Sequence, residues 1–139
     1  MKLDRIGIER VVPQTGRMCL LESVDDWSAN HIVCSAAFPD AAHPLVQRGS
    51  VPIVAAIEYA AQATAVHGAL VDNATTFKSG MLAKVMNVEL HGDCLPTGIG
   101  HLRIEAGLIS ASEAGGLYTF SVGSAAGPLA AGRLMVVLT

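Results

Sequence analysis

Three polar side chains stand where little else polar does. The run VPIVAAIEYAAQATAVHGAL, from Val51 to Leu70, carries Glu58 and Gln62 in an otherwise almost wholly apolar stretch. Four residues apart on a helix, they share one stripe. A helix that is apolar nearly all round is a buried one. An ionised carboxylate there is costly unless it is paired, hydrogen-bonded or put to use. The third residue, His43, lies in the loop PDAAHPLVQRGS that feeds the helix, with Pro44 restricting the backbone beside it. An imidazole titrating near neutral pH and a carboxyl in apolar surroundings make an acid–base pair. The helix start at Pro52, Ile53 and Val54 adds backbone N–H groups able to polarise a carbonyl oxygen. Together these parts suit proton abstraction beside a carbonyl, coupled to departure of a hydroxyl.

The other four histidines fit less well. His67 is nine residues beyond Glu58, about 180° round the helix, and reads as a satisfied structural histidine. His31 and His101 fall within expected strands, and His91 precedes the loop GDCLP. Tyr59 reads as core or interface packing. Gln62 reads as an orienter of Glu58 or as a helix-to-sheet hydrogen bond.

The elements that must position these groups follow from pattern. Strands are expected at Met18–Val24 and over residues 30–38. The helix comes next, with Ser50 or Val51 as its cap and Pro52 in its first turn. Further strands are expected over 77–91 and over 100–111. In the latter, Leu102, Ile104, Ala106 and Leu108 alternate with His101, Arg103 and Glu105. A Gly115-Gly116 turn, a strand through Tyr118, Phe120 and Val122, and a last strand over 129–138 complete the order. Two strands, one long apolar helix and four strands predict an α+β fold, an antiparallel sheet wrapped around one central helix. Residues 1–139 read as a single domain.

Composition narrows the function. The chain is 51% hydrophobic and 15% charged, against about 25% charged for an average domain. No uninterrupted apolar run is long enough to span a bilayer. A large shared interface, as in an obligate homodimer or higher oligomer, accounts for the apolarity. A net charge of −3 with scattered Lys and Arg argues against nucleic-acid binding. Three widely spaced cysteines, Cys19, Cys34 and Cys94, predict neither a disulfide framework nor a metal site. The opening MKLDRIGIERVVP lacks the apolar stretch of a signal peptide, which makes a cytoplasmic location the default expectation.

The segments VPQTGRMCLLESV (residues 12–24) and VPIVAAIEYAAQATAVHGAL resemble the hotdog-fold β-hydroxyacyl-ACP dehydratases. More closely, they resemble a small bacterial branch of 3-hydroxyacyl-ACP dehydratases linked with aryl-polyene or polyketide-like pathways. Pro52, Glu58 and Gln62 match the family's P-x5-E-x3-Q helix. His43 stands close to the place of the catalytic histidine, and Tyr118, Phe120, Gly132 and Arg133 match later strands. Three differences stand out: H-P-L-V-Q-R-G replaces the usual H-F-P-G loop, Ile53 replaces the glycine after the proline, and Gln14 follows Pro13 where the family often has histidine.

The resemblance implies a hotdog dimer with a continuous sheet and an acyl tunnel at the interface. It implies His43 as the base at the α-carbon and Glu58, from the other subunit, as the acid at the β-hydroxyl. Pro52, Ile53, Val54 and Gln62 would line the substrate. The substrate arrives on the phosphopantetheine arm of acyl carrier protein, so no metal or bound cofactor is called for. Two alternatives remain at this level: a hotdog acyl-thioesterase, and a non-catalytic subunit that pairs with a related dehydratase.

Overall fold

The computed structural model describes residues 3–10, 18–71 and 80–138. A short helix α1 (Arg5–Glu9) opens the chain, and β1 (Ser23–Ser28) and β2 (His31–Ala37) form a hairpin. A 3-10 turn (Ile53–Ala55) leads into α2 (Ala56–Val71). Four strands follow: β3 (Gly80–Leu90), β4 (His101–Ser112), β5 (Gly115–Ser124) and β6 (Gly127–Leu138). They join one six-stranded sheet in the order β1-β2-β4-β5-β6-β3, with every pairing antiparallel. α2 packs across β2, β4, β5 and β6. This is the antiparallel sheet around one central helix that the order of elements predicts, and the hotdog arrangement that the resemblance implies.

α2 is Ala-rich, which favours helix and lets the sheet approach closely. Ala56, Ala60, Ala63 and Val66 are fully buried, and Ile57, Ala65, Ala69 and Leu70 pack against the core from its margin. Leu102, Ile104 and Ala106 of β4 point into this core, while His101 and Arg103 are exposed, as the alternation predicts. Cys19 and Cys34 are buried free thiols, and burial pushes Cys34 up to about 12. Among the described residues, no helix is long and apolar enough to cross a membrane.

Three local expectations need correction. The first strand lies at Ser23–Ser28 and not at Met18–Val24. In the segment before it, Leu20 N–H and Met18 O are taken by Gln62 of α2, while the charged pair Asp25-Asp26 sits exposed on the sheet edge across a bulge. Edge strands carry such charges because they discourage further pairing. Next, neither Ser50 nor Val51 caps the helix. Pro52 occupies the cap position with extended backbone, because residues 51–53 pair with 93–95 through Leu95 N–H to Val51 O and Ile53 N–H to Asp93 O, both 2.9 Å. Finally, Gly115-Gly116 is not the turn; the turn is Glu113-Ala114, and both glycines already pair with β6. Gly115 is needed for close approach: a Cβ there would lie 1.9 Å from Val136 O, at φ +151.

His67 fastens the far half of α2 to the sheet. Its Nε2 lies 2.9 Å from Ser28 O, and its Nδ1 lies 2.8 Å from the Tyr118 hydroxyl. Since a carbonyl only accepts, Nε2 carries the proton and Nδ1 receives the Tyr118 O–H. Burial holds this ring below the usual histidine range, partly opposed by the Ser28 carbonyl. The unfolded ring therefore binds a proton at pH values where the folded ring does not. The stabilisation is complete above the unfolded value and fades as pH falls through the folded one. His67→Phe is expected to lose less stability than the wild type between pH 7.5 and 5.5, measured as the shift of the urea midpoint.

Candidate active site

Two elements carry the site. The loop over residues 38–50 is shaped by its own backbone: His43 N–H donates to Asp40 O, Val46 N–H to His43 O, and Gln47 and Ser50 exchange hydrogen bonds around a tip at Arg48 and Gly49. The Asp40 side chain accepts from Ala42 N–H at 2.9 Å, an Asx turn that fixes the approach to His43. The second element is the first half of α2.

His43 is half-buried, and both ring nitrogens are engaged. Leu45 N–H donates to Nδ1 at 3.1 Å, and Nε2 lies 2.9 Å from the Tyr59 hydroxyl. The two rings stack at 6.0 Å between centroids, inclined by 27°. Burial pushes His43 below the ordinary histidine value, partly opposed by Asp40. Tyr59 is fully buried, and desolvation, helped by Glu22, raises its hydroxyl to about 12.

Glu58, one position earlier on the helix, is half-buried. Gln62 Nε2 donates to Glu58 Oε1 at 3.2 Å and to Met18 O at 2.7 Å, while Gln62 Oε1 accepts from Leu20 N–H at 2.8 Å. Gln62 is only 1% exposed. The backbone settles its amide orientation, since Leu20 N–H only donates and Met18 O only accepts. Gln62 is placed to orient Glu58, and its other bonds run from the helix to the segment before β1 and not to the sheet.

Within this chain His43 is joined to Tyr59 and Leu45, and Glu58 to Gln62. The helix start offers less than three free amides. Pro52 has no N–H and Ile53 N–H is spent on Asp93 O, which leaves Val54 as the candidate of the three. Val54 is an exposed apolar residue of the single chain, 54% accessible. Gln14, Pro13 and Arg17 lie outside the described residues. Among the described residues, no three His, Cys, Asp or Glu side chains cluster as metal ligands would. Tyr59 is the residue whose place in the site the sequence hides. Its one signal is a large aromatic ring beside Glu58 in the first turns of a helix rich in alanine.

An imidazole and a carboxyl on adjoining elements, each tethered by hydrogen bonds, are equipped to move protons. Comparison with known proteins places the fold and the family. The dehydratase heterocomplex ApeI:P from Xenorhabdus doucetiae contains a chain 25% identical to this one, with a TM-score of 0.84, covering 95% of this chain and 90% of that one. A hypothetical thioesterase from Streptococcus pneumoniae, solved with coenzyme A, shares the fold at 8% identity and a TM-score of 0.62, covering 84% of each chain. A mutant thioesterase from Pseudomonas aeruginosa does so at 11% identity and a TM-score of 0.59, covering 86% of this chain and 81% of that one. No curated protein matches the chain in sequence. The ApeP-like family profile, described as ApeP dehydratase, matches residues 6–139. With nearly its whole length so matched, the chain belongs to the ApeP-like dehydratase family.

Proposed function

We propose that this chain dehydrates 3-hydroxyacyl thioesters carried on acyl carrier protein to trans-2-enoyl thioesters, in an assembly with a second dehydratase-type subunit. His43 and Glu58 handle the two protons of the elimination, one from the α-carbon and one that leaves with the β-hydroxyl. The carrying observation is Glu58 itself, a half-buried carboxyl held in place by Gln62 at the start of a buried helix. That arrangement is costly without a task. Pro52, Ile53 and Val54 stand at the approach, buried Gln62 acts on the substrate only through Glu58, and the phosphopantetheine arm travels with the substrate, so the reaction draws on no metal or resident cofactor. A cytoplasmic location goes with a carrier-protein partner. The heterocomplex of the Xenorhabdus relative supports a hetero-oligomer over a homodimer.

A second reading has its own observation. Both ring nitrogens of His43 are occupied within the chain, which suits a subunit that shapes a partner's tunnel without turning over itself. One assay separates the readings. The purified chain, alone and mixed with a related dehydratase subunit, is given a 3-hydroxyacyl-carrier-protein thioester. Enoyl absorbance from the chain alone, or from the mixture but lost with Glu58→Gln in this chain, supports the enzyme; enoyl only in the mixture, unaffected by Glu58→Gln in this chain, supports the partner subunit. Release of free thiol without enoyl product overturns both in favour of a thioesterase.

A further inference from the structure

The hydrogen bonds around His43 assign its proton. A backbone amide can only donate, so the Leu45 N–H at 3.1 Å requires a lone pair on Nδ1. A neutral imidazole has one N–H, which then sits on Nε2. Nε2 is 2.9 Å from the Tyr59 hydroxyl oxygen, which accepts it. The tautomer follows from the partners, as a ring assignment should. Stacking of the two rings adds a second restraint on the imidazole plane.

We propose that Tyr59 is a positioning residue for His43: together with the Leu45 amide it holds the ring in one orientation as an Nε2–H donor. The resting ring then presents a proton, not a lone pair, on its Tyr59 side. A substrate oxygen that displaces the Tyr59 hydroxyl meets a ready N–H. This differs from the division of labour implied by the family resemblance, in which His43 starts as a base. The geometry stands by itself, whereas its consequence for turnover rests on the dehydratase reading. Two charged groups act on this pair, Asp40 on His43 and Glu22 on Tyr59. Neither is the partner of Nε2.

Nitrogen-15 NMR of the histidine rings in the intact protein tests this without an activity assay. Expected is a His43 ring with its proton on Nε2 and a bare Nδ1. In Tyr59→Phe the same tautomer is expected, because Leu45 still sets it. The titration midpoint should fall by about one pH unit, since a hydroxyl acceptor favours the imidazolium more than the neutral ring. A well-dispersed amide spectrum confirms that this near-isosteric variant is folded. An Nδ1–H tautomer overturns the proposal, and so does a midpoint that Tyr59→Phe leaves in place, because a merely structural tyrosine would not move it. In turnover, Tyr59→Phe should lower kcat about tenfold with KM little changed. Wild-type kcat in Tyr59→Phe, with His43→Ala inactive, defeats the positioning role and spares the dehydratase reading. The expected tautomer and midpoint shift, with His43→Ala fully active, support the geometry and defeat the dehydratase reading.

Discussion

Glu58→Gln is expected to lower enoyl formation by about two to four orders of magnitude while leaving the fold intact. That range is what a positioned acid or base contributes to a proton-transfer step. The substitution is a sharp one for this site. Glutamine keeps the length of the side chain and an oxygen that can still accept from Gln62 Nε2, but it can no longer give or take a proton. A loss of activity with unchanged thermal unfolding therefore reports on chemistry, not on packing. His43→Ala is expected to fall in the same range, and the double variant to lose little more than either single one, because residues that act as a unit are far from additive. Wild-type rates of enoyl appearance in Glu58→Gln would falsify the assignment.

The largest expected stability effect belongs to Gln62. Gln62→Leu preserves volume but strips Leu20 N–H of its acceptor inside the protein. A buried donor left unpaired costs about 1–3 kcal/mol. Gln62→Glu is expected to be worse at neutral pH. One carboxylate oxygen can still receive Leu20 N–H, but the other then faces the Met18 carbonyl and Glu58, where the amide now donates. A buried charge without a partner costs about 3–5 kcal/mol. Thermal unfolding at pH 7.5 should rank wild type above Gln62→Leu above Gln62→Glu. The gap between the variants should narrow at pH 5, as protonation returns a donor to the site. A Gln62→Glu protein as stable as the wild type at pH 7.5 would mean that the clamp carries no energy.

Much of this could be read before any coordinates. The apolar helix with its proline start, and the alternation of Leu102, Ile104 and Ala106, required little more than periodicity to interpret. The reading of His67 as a satisfied core histidine holds, with its ring nitrogens on Ser28 and Tyr118. What failed failed for local reasons. Asp25-Asp26 does not look like strand, because an edge strand selects for solvation and not for burial. Gly115-Gly116 looks like a turn, because sequence does not distinguish a glycine needed for conformation from one needed for space. The contact between His43 and Tyr59 was out of reach, since it depends on how a loop built on Asp40 aims one ring at a helix sixteen positions away.

The clamp around Gln62 has a bearing on how this protein can change over generations. Its two outer anchors, at Met18 and Leu20, are main-chain atoms. Every amino acid brings the same carbonyl to position 18, and every one but proline brings the same amide to position 20. The clamp therefore asks nothing of the side chains at these two positions: exposed Met18 can change freely, and Leu20 is constrained by its place in the core and not by its bond to Gln62. A Leu20→Pro substitution, which alters no side-chain contact to Glu58 among those described, would reach that carboxylate through a single missing hydrogen.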